Sequence, residues 1–161
     1  MARTDTGSSR PTEMPEIGTV AMKLEVVTLP VSDVDRAKSF YESLGWRLDV
    51  DLDGGDFRAV QMTPPHSQCS IHFGKGVPGI TAMEPGSLQR VYLAVKDIDA
   101  AREDLVSRGV DVSEVYEQKP PGFESIEGRS YFMYASFSDP DGNGWLLQEV
   151  TTRLPGREWE D

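Results

Sequence analysis

The chain has 161 residues, 38% of them hydrophobic, and a formal net charge of −11, a composition typical of one globular domain. The acidity argues against nucleic acid and anionic membranes as partners, and no apolar run approaches the roughly 20 residues of a transmembrane helix. Residues 1–10 lack the apolar stretch of a secretion signal, and the single Cys69 excludes an internal disulfide. We therefore expect a cytoplasmic protein.

Both ends of the chain are predicted to be tails. Residues 1–20 are rich in Thr, Ser, Pro and Glu without any hydrophobic period, which is typical of a disordered segment. Residues 153–161 have the same character, with Trp159 as a possible docking anchor. The folded domain is predicted to span 21–152.

An internal repeat dominates the sequence between these tails. The segment Val31–Ala37 returns 64 residues later as Val95–Ala101, and at the same offset Gly45 matches Gly109. Such self-similarity predicts two copies of one structural unit that pack against each other. The predicted units are module one at 23–75, a linker at 76–86 and module two at 87–152.

Module one is predicted to fold as one strand, one helix and three further strands. An apolar strand at 23–31 is followed by a helix at 34–44, which Asp33 caps and Gly45 ends. Apolar residues recur along this helix at the spacing that buries one face. The three following strands are predicted at 46–51, 56–63 and 69–73.

Module two repeats this order. Its first strand at 88–95 leads through the capping residue Asp97 to a helix at 98–108, which Gly109 ends. The loop 119–128 is longer than a plain connection requires, and such loops are often lids. The three following strands are predicted at 112–118, 130–138 and 144–150.

These features resemble the glyoxalase/bleomycin resistance/extradiol dioxygenase superfamily, also called the vicinal oxygen chelate (VOC) proteins. The resemblance rests on the paired modules, the helix sequence from Arg36 to Gly45 and the turn Asp139-Pro-Asp-Gly-Asn143. It implies an α+β fold in which two βαβββ modules form curved mixed half-barrels around a cup, with the helices outside. Relatives of this size usually form homodimers, and members include metal-dependent lyases and dioxygenases as well as proteins that only bind an antibiotic.

The turn sequence has a second interpretation, as a calcium loop. Asp139, Asp141 and Asn143 match the start of an EF-hand, but Val150 occupies the position that requires a bidentate Glu, and no helices flank the segment. Pro140 and the glycines suit a tight turn. We therefore interpret the segment as a hairpin turn.

The resemblance also implies where a metal would bind. The corresponding ligand positions are Val26, His72, Arg90 and Leu146, of which only His72 is a metal donor. We therefore predict a cup without metal and without any other cofactor. A shifted site that uses Glu25 or Glu149 remains open, because a bulge would be needed to turn either side chain into the cup.

Alternation along the strands predicts which side chains line the cup. Arg90 is a candidate anchor for a carboxylate, phosphate or enolate oxygen, His72 a candidate general acid or base, and Tyr92 a donor to a developing oxyanion. Each has a structural alternative. Arg90 could pair with an acidic neighbour, and His72 could do no more than form a hydrogen bond to a neighbouring strand. The predicted ligand-binding residues are Val26, Thr28, Gln61, Ser70, Tyr131, Met133, Leu146 and Gln148.

Other conspicuous residues are predicted to be structural. Trp46, Trp145 and Cys69 fall on the helix-facing side of their strands, and His66 lies in a loop.

Two functions remain. The first is a small-molecule-binding protein that sequesters an antibiotic or toxic metabolite in a metal-free cup. The alternative is a metal-independent enzyme, an isomerase, cyclase or lyase acting next to a carbonyl, with the loop around Phe123 as a lid. The sequence favours binding, because no complete catalytic pair is visible, although the fold alone does not decide.

Overall fold

The computed structural model describes residues 16, 18–80 and 82–160, so most of the predicted tail 1–20 lies outside the described residues. The described part contains eight strands and two helices in the predicted βαβββ order, repeated once. In chain order these are β1 (Val26–Thr28), α1 (Val34–Ser43), β2 (Arg47–Asp53), β3 (Arg58–Thr63), β4 (Ser70–Lys75), β5 (Val91–Val95), α2 (Ile98–Ser107), β6 (Tyr116–Glu117), β7 (Met133–Ser138) and β8 (Gly144–Glu149).

The strands form two separate four-stranded mixed sheets. The strand order is β1-β4-β3-β2 in the first sheet and β5-β8-β7-β6 in the second. In each sheet the first strand pairs in parallel with the last strand of its module, and the other pairs are antiparallel. The sheets are open, and the predicted α+β architecture of two related modules is confirmed.

The helix boundaries follow from the repeated capping residues. The Asp33 side chain accepts a hydrogen bond of 3.0 Å from the Arg36 amide, and Asp97 accepts one of 3.1 Å from Ala100. Each bond satisfies a donor that the first turn of a helix leaves unpaired. Just after each helix, Gly45 and Gly109 adopt φ values of 83° and 87°, a left-handed conformation that costs glycine little.

One hydrophobic core joins the two modules. It lies between the helices and the sheets and contains large side chains from both halves of the chain. Trp46 and Trp145 meet edge to face in it, with ring centroids 5.1 Å apart, and Phe137 stacks on Trp145. The predicted core positions of both tryptophans are therefore confirmed.

A buried group of polar side chains links α1 to the β7–β8 hairpin. The Tyr41 hydroxyl donates to Asp139 Oδ2 at 2.9 Å and accepts from Trp145 Nε1 at 3.0 Å. Asn143 Nδ2 donates to Asp139 Oδ2 at 2.8 Å and to the Pro30 carbonyl at 2.7 Å. We call these residues (Tyr41, Asp139, Asn143 and Trp145) the buried clamp. Because the clamp crosses between modules, it fixes one module against the other.

The Asp139–Asn143 segment is a hairpin turn, as predicted. Asp139 Oδ1 accepts hydrogen bonds of 3.0 and 2.9 Å from the amides of Asp141 and Asn143. The Asp141 carboxylate accepts a bond of 3.1 Å from the Ser32 amide. These carboxylates are therefore occupied by protein donors.

Several strands are shorter than predicted. β1 covers three residues rather than 23–31, and β6 covers two rather than 112–118. β7 begins at Met133 rather than at 130, because Tyr131 lies in a turn and has a φ of 72°. Near the C-terminus the indole of Trp159 donates to the Val150 carbonyl at 2.8 Å, so this tryptophan contacts the end of the domain.

Candidate functional site

Each sheet has one face against the helices and one face away from them. Core side chains such as Met62, Phe73 and Leu147 mark the helix side, and the alternating side chains lie on the other side. We call the two outward faces the first cup face (module one) and the second cup face (module two). The predicted site residues divide between them. The first cup face carries Val26, Thr28, Gln61, Ser70 and His72, and the second carries Tyr92, Leu146 and Gln148. Arg90 precedes β5 with a positive φ, and its hydrogen bond to the Tyr92 hydroxyl brings its guanidinium to the second cup face.

His72 lies at the centre of the first cup face. It is in register with Thr28 on one side and with Gln61 on the other. A hydrogen bond of 2.5 Å joins His72 Nε2 to the Thr28 hydroxyl. Burial lowers the pKa of His72 below its usual value, which favours the neutral imidazole. A neutral imidazole can accept a proton, so the chemistry predicted for this residue is available.

A chain of hydrogen-bonded polar side chains that the sequence analysis did not predict lies on the same face as His72. The hydroxyls of Ser70 and Thr63 are 2.6 Å apart, and Thr63 also donates to Asp49. Asp49 accepts a bond of 2.5 Å from Arg47, and this bond holds the pKa of the carboxyl below its usual range. The register of β2 shifts between Leu48 and Val50, so Asp49 lies at a bulge in this strand. Alternation from the helix-side Trp46 also puts Asp49 on the cup side, and this is the signal that could have found it.

The second cup face combines an arginine with tyrosines. Arg90 Nη2 donates to the Tyr92 hydroxyl at 2.8 Å, and the guanidinium carbon lies 5.7 Å from the Tyr92 ring centroid. Gln148 Nε2 donates to the Tyr134 hydroxyl at 3.1 Å. The Tyr116 and Tyr134 rings stack with centroids 5.8 Å apart.

Two predicted positions on this face are corrected. Met133 packs against the hydrophobic core, so it lies on the helix side of β7. Tyr131 precedes the strand in a turn of positive φ, so strand alternation does not define its direction. The cup-facing residues of this strand are Tyr134 and Ser136, which the prediction missed. Their signal is the alternation of buried Ala135 and Phe137 with more polar neighbours.

The residues present do not fit the metal site of the metal-using relatives. Of the implied ligand positions, Val26 and Leu146 have no donor atom and Arg90 carries a positive charge. Among the residues that the structure describes, no group of three or more His, Cys, Asp or Glu side chains is arranged to hold a metal ion. The residues at these positions therefore cannot supply the ligands of the divalent metal ion that the resemblance implies.

The alternative ligand Glu149 is held elsewhere. Its Oε2 accepts from the Ile98 amide at 3.0 Å and its Oε1 from Arg129 Nε at 3.1 Å, and the residue is buried. The carboxylate thus serves the N-terminus of α2, outside the cup. The other alternative ligand, Glu25, is exposed next to β1.

The cup faces are open in the single chain. A cavity of about 360 Å³ lies beside α2 of module two, where it is lined by Asp99, Arg102, Glu103, Val106, Glu114 and Val115. None of these is a predicted site residue. Within the described ranges, no helix has the length and apolar character needed to cross a membrane.

Two βαβββ modules with a shared core and open cup faces define the class of paired-module VOC folds. The chain belongs to the Glyoxalase/Bleomycin resistance protein/Dioxygenase superfamily, whose family model matches residues 23–147. No curated protein matches the chain significantly.

Solved structures support this membership. The chain is 31% identical to TnmS3, an antibiotic binding protein from Streptomyces sp. CB03234, with a TM-score of 0.63 over 83% of this chain and 99% of that one. It is 33% identical to a glyoxalase/bleomycin resistance protein from the same organism, with a TM-score of 0.59 over 78% and 99% of the two chains. A bleomycin resistance determinant encoded on the transposon Tn5, 18% identical with a TM-score of 0.51 over 81% and 100%, shares the fold.

Proposed function

We propose that this protein binds a small antibiotic or toxic metabolite in a metal-free cup and sequesters it without chemical change. The observation that carries the proposal is the second cup face, where tyrosines and one arginine form an exposed, mainly aromatic surface. Small-molecule sites are typically apolar or aromatic with a few well-placed polar groups. The similarity to an antibiotic binding protein supports the same function.

We propose further that a homodimer completes the cup. The first cup face exposes Val50, Leu52 and Phe57, and the second exposes Tyr92 and Tyr116. Exposed apolar faces of this kind favour contact with another surface. A two-fold dimer with the first cup face of one protomer opposite the second cup face of its partner gives two equivalent cups, each with polar groups from both chains.

Binding and sequestration are tested together. The purified protein is incubated with bleomycin and with a panel of carboxylate metabolites and basic antibiotics, and the shift in melting temperature is recorded for each. Any compound that raises the melting temperature is then recovered from the protein, and its molecular mass is measured by mass spectrometry and compared with that of the compound added. We expect at least one compound to stabilise the protein by mass action and to be recovered intact. A panel without any stabilising compound contradicts the binding function.

The metal-free state has its own test. Elemental analysis of protein purified without chelator is expected to find less than about one tenth of an equivalent of zinc, nickel, manganese or iron, because the donor set lacks three suitable ligands. Treatment with EDTA is expected to leave ligand binding unchanged. A stoichiometric metal, or binding that EDTA abolishes, would contradict the proposal.

The second candidate function is a metal-independent lyase or isomerase. The specific observation in its favour is His72, which lies on the first cup face, is hydrogen-bonded to Thr28 and has a pKa lowered by burial. In the proposed dimer, which brings the first cup face of one protomer opposite the second cup face of its partner, His72 moves a proton next to a carbonyl while the arginine of the second cup face holds the developing anionic oxygen. Recovery of a changed compound in the mass-spectrometric experiment, with the change abolished in His72→Gln, would favour this function over sequestration.

A further inference from the structure

We propose that the second cup face selects a flat aromatic ligand that carries an anionic oxygen, such as a carboxylate or phenolate. The proposal rests on the proposed binding function and names its ligand class. A net charge of −11 would by itself attract a cationic ligand, so the proposed ligand class does not follow from the overall charge. Three observations support it for the part of this face that the structure describes: an ordered aromatic row, an arginine at its edge, and the absence of acidic side chains between them.

The aromatic row runs across the sheet in register. Tyr116 pairs with Tyr134, and Tyr134 pairs with Gln148. The Tyr116 and Tyr134 rings stack with an interplanar angle of 25°, and the Tyr92 ring meets Tyr134 edge to face with centroids 6.4 Å apart. The Gln148 bond to the Tyr134 hydroxyl fixes the central ring. Tyrosine rings held in this way offer large contact area at little cost in side-chain entropy, which suits a flat aromatic partner.

Arg90 provides the charge at the edge of this row. Its φ of 59° lies in the left-handed region, which is unfavourable for a residue with a side chain. Glycine would adopt this conformation without strain, so the chain carries an arginine where the backbone favours another residue. The guanidinium uses Nη2 to bond Tyr92, which orients the planar group next to the ring. A planar guanidinium binds a carboxylate through two parallel hydrogen bonds.

The surroundings favour an anion over a cation. The outward positions of β5 are Tyr92 and Ala94, and those of β8 are Gly144, Leu146 and Gln148. Glu117 is in register with Met133 and Glu149 bonds the Ile98 amide, so both nearby glutamates belong to the helix side. The described outward positions of this sheet therefore contain no carboxylate that would neutralise Arg90 or attract an amine.

Four small probes of similar size separate shape from charge. They are 2-naphthoate, which is flat and anionic, 2-naphthalenemethanol, which is flat and neutral, 2-naphthylmethylamine, which is flat and cationic, and decalin-2-carboxylate, which is anionic and not flat. Affinities are measured by isothermal titration calorimetry on the full-length protein. We expect 2-naphthoate to bind at least tenfold more tightly than each of the other three.

Substitutions on the second cup face test whether its residues cause the preference for 2-naphthoate. Tyr116→Leu is expected to weaken 2-naphthoate about threefold to tenfold, because it removes one ring of the stacked pair. Arg90→Ala is expected to abolish the difference between 2-naphthoate and 2-naphthalenemethanol. Arg157→Ala removes an arginine from an exposed turn near the C-terminus and is the matched charge control, with affinity unchanged.

The variant Arg90→Gly separates binding from folding. Because glycine relieves the left-handed backbone, this variant is expected to melt at a higher temperature than Arg90→Ala and to lose the preference for the anion equally. A stable Arg90→Gly protein that retains the preference would overturn the proposal.

The remaining outcomes also decide the question. Equal affinity for all four probes, or tighter binding of the amine, overturns the proposed ligand class. If the probes fail but bleomycin or another panel compound binds, the ligand class is wrong and the binding function stands. If no compound of either set binds, the binding function itself fails.

Discussion

At the scale of single residues, the Tyr41 hydroxyl forms the hydrogen bonds that hold the two modules together. It donates to Asp139 and accepts from the Trp145 indole, and all three groups are buried. Burial, together with the nearby Asp139 carboxylate, raises the pKa of Tyr41 far above its usual value, so the hydroxyl keeps its proton as a donor. A buried group of this kind matters mainly through what its removal leaves unpaired.

Tyr41→Phe is expected to lower the free energy of unfolding by about 1–3 kcal/mol, because the buried Trp145 N–H loses its acceptor and Asp139 Oδ2 keeps only the bond from Asn143. Urea denaturation at pH 7 measures the change. Tyr116→Phe is the matched control, since its hydroxyl is at the exposed edge of the second sheet, and it is expected to change stability by less than about 0.5 kcal/mol. Equal effects of the two substitutions would contradict a stabilising role of the clamp.

His72 gives a second prediction at this scale. Because burial lowers its folded-state pKa below the unfolded value of about 6.5, the unfolded chain binds more protons in the range between the two values. The stability associated with neutral His72 is therefore complete above about pH 6.5 and decreases as the pH falls towards the folded-state pKa.

Unfolding free energies at pH 7.5 and 5.5 measure this dependence. We expect the wild-type protein to lose more stability between these values than His72→Gln does, since carboxylates contribute equally to both proteins. An NMR titration of the imidazole provides the direct check, with a midpoint below 6.5. An identical pH dependence of the two proteins would be inconsistent with a depressed pKa.

At the scale of elements, the helices follow from local sequence and the strands only partly. Asp33 and Gly45 mark the ends of α1 because a cap and a left-handed turn need only neighbouring residues. Strand alternation placed Gln61 correctly on the cup face, between the core residues Val60 and Met62.

The same rule failed where the backbone departs from regular pairing. Residues 131–132 form a turn, so Tyr131 lies outside β7, and Met133 lies on the helix side with Ala135 and Phe137. In β2, simple alternation would put Asp51 on the cup face, whereas the bulge puts Val50 and Leu52 there. The turn before β7 and the bulge in β2 depend on pairing between distant segments, so the local sequence does not contain them, whereas the alternation that continues to Ala135 and Phe137 does indicate the side of Met133. The predicted site residues lie on two separate sheets, and this division also follows from how the two modules pack and not from the local sequence.

The duplicated caps provide an element-scale prediction. Asp33→Ala and Asp97→Ala are each expected to destabilise the protein by about 1 kcal/mol, because each removes an acceptor for a first-turn amide. The corresponding Asn variants are expected to retain most of the stability. Thermal or urea unfolding measures the effect, with Asp111→Ala in an exposed loop as the control. A change no larger than that of the control would argue against capping at the position concerned.

At the scale of the whole molecule, the chain has one buried core but leaves apolar residues exposed on both cup faces. The chain buries its helix-side residues within one core, yet exposes Leu52 to 57% and Tyr92 to 46%. A second protomer is the simplest cover for both faces at once.

Light scattering during size-exclusion chromatography is expected to give about twice the chain mass of 17.8 kDa. Leu52→Asp places a charge on the first cup face and is expected to yield a folded monomer with weakened ligand binding. Val106→Asp, on the exposed side of α2, is the matched control and is expected to remain a dimer. A wild-type monomer at tens of micromolar, or a dimeric Leu52→Asp protein, would refute this arrangement.

The buried clamp also bears on how a duplicated sequence diverges. Positions 41 and 105 correspond in the repeat, but the first is the tyrosine of the clamp and the second is Leu105 in the other helix. The link from helix to hairpin thus exists in one direction only, from the first half of the chain to the second. The two halves have ceased to be interchangeable: a chain built from two copies of either half would lack the donor or the acceptor of this link, even though either half retains the same sequence of strands and helix.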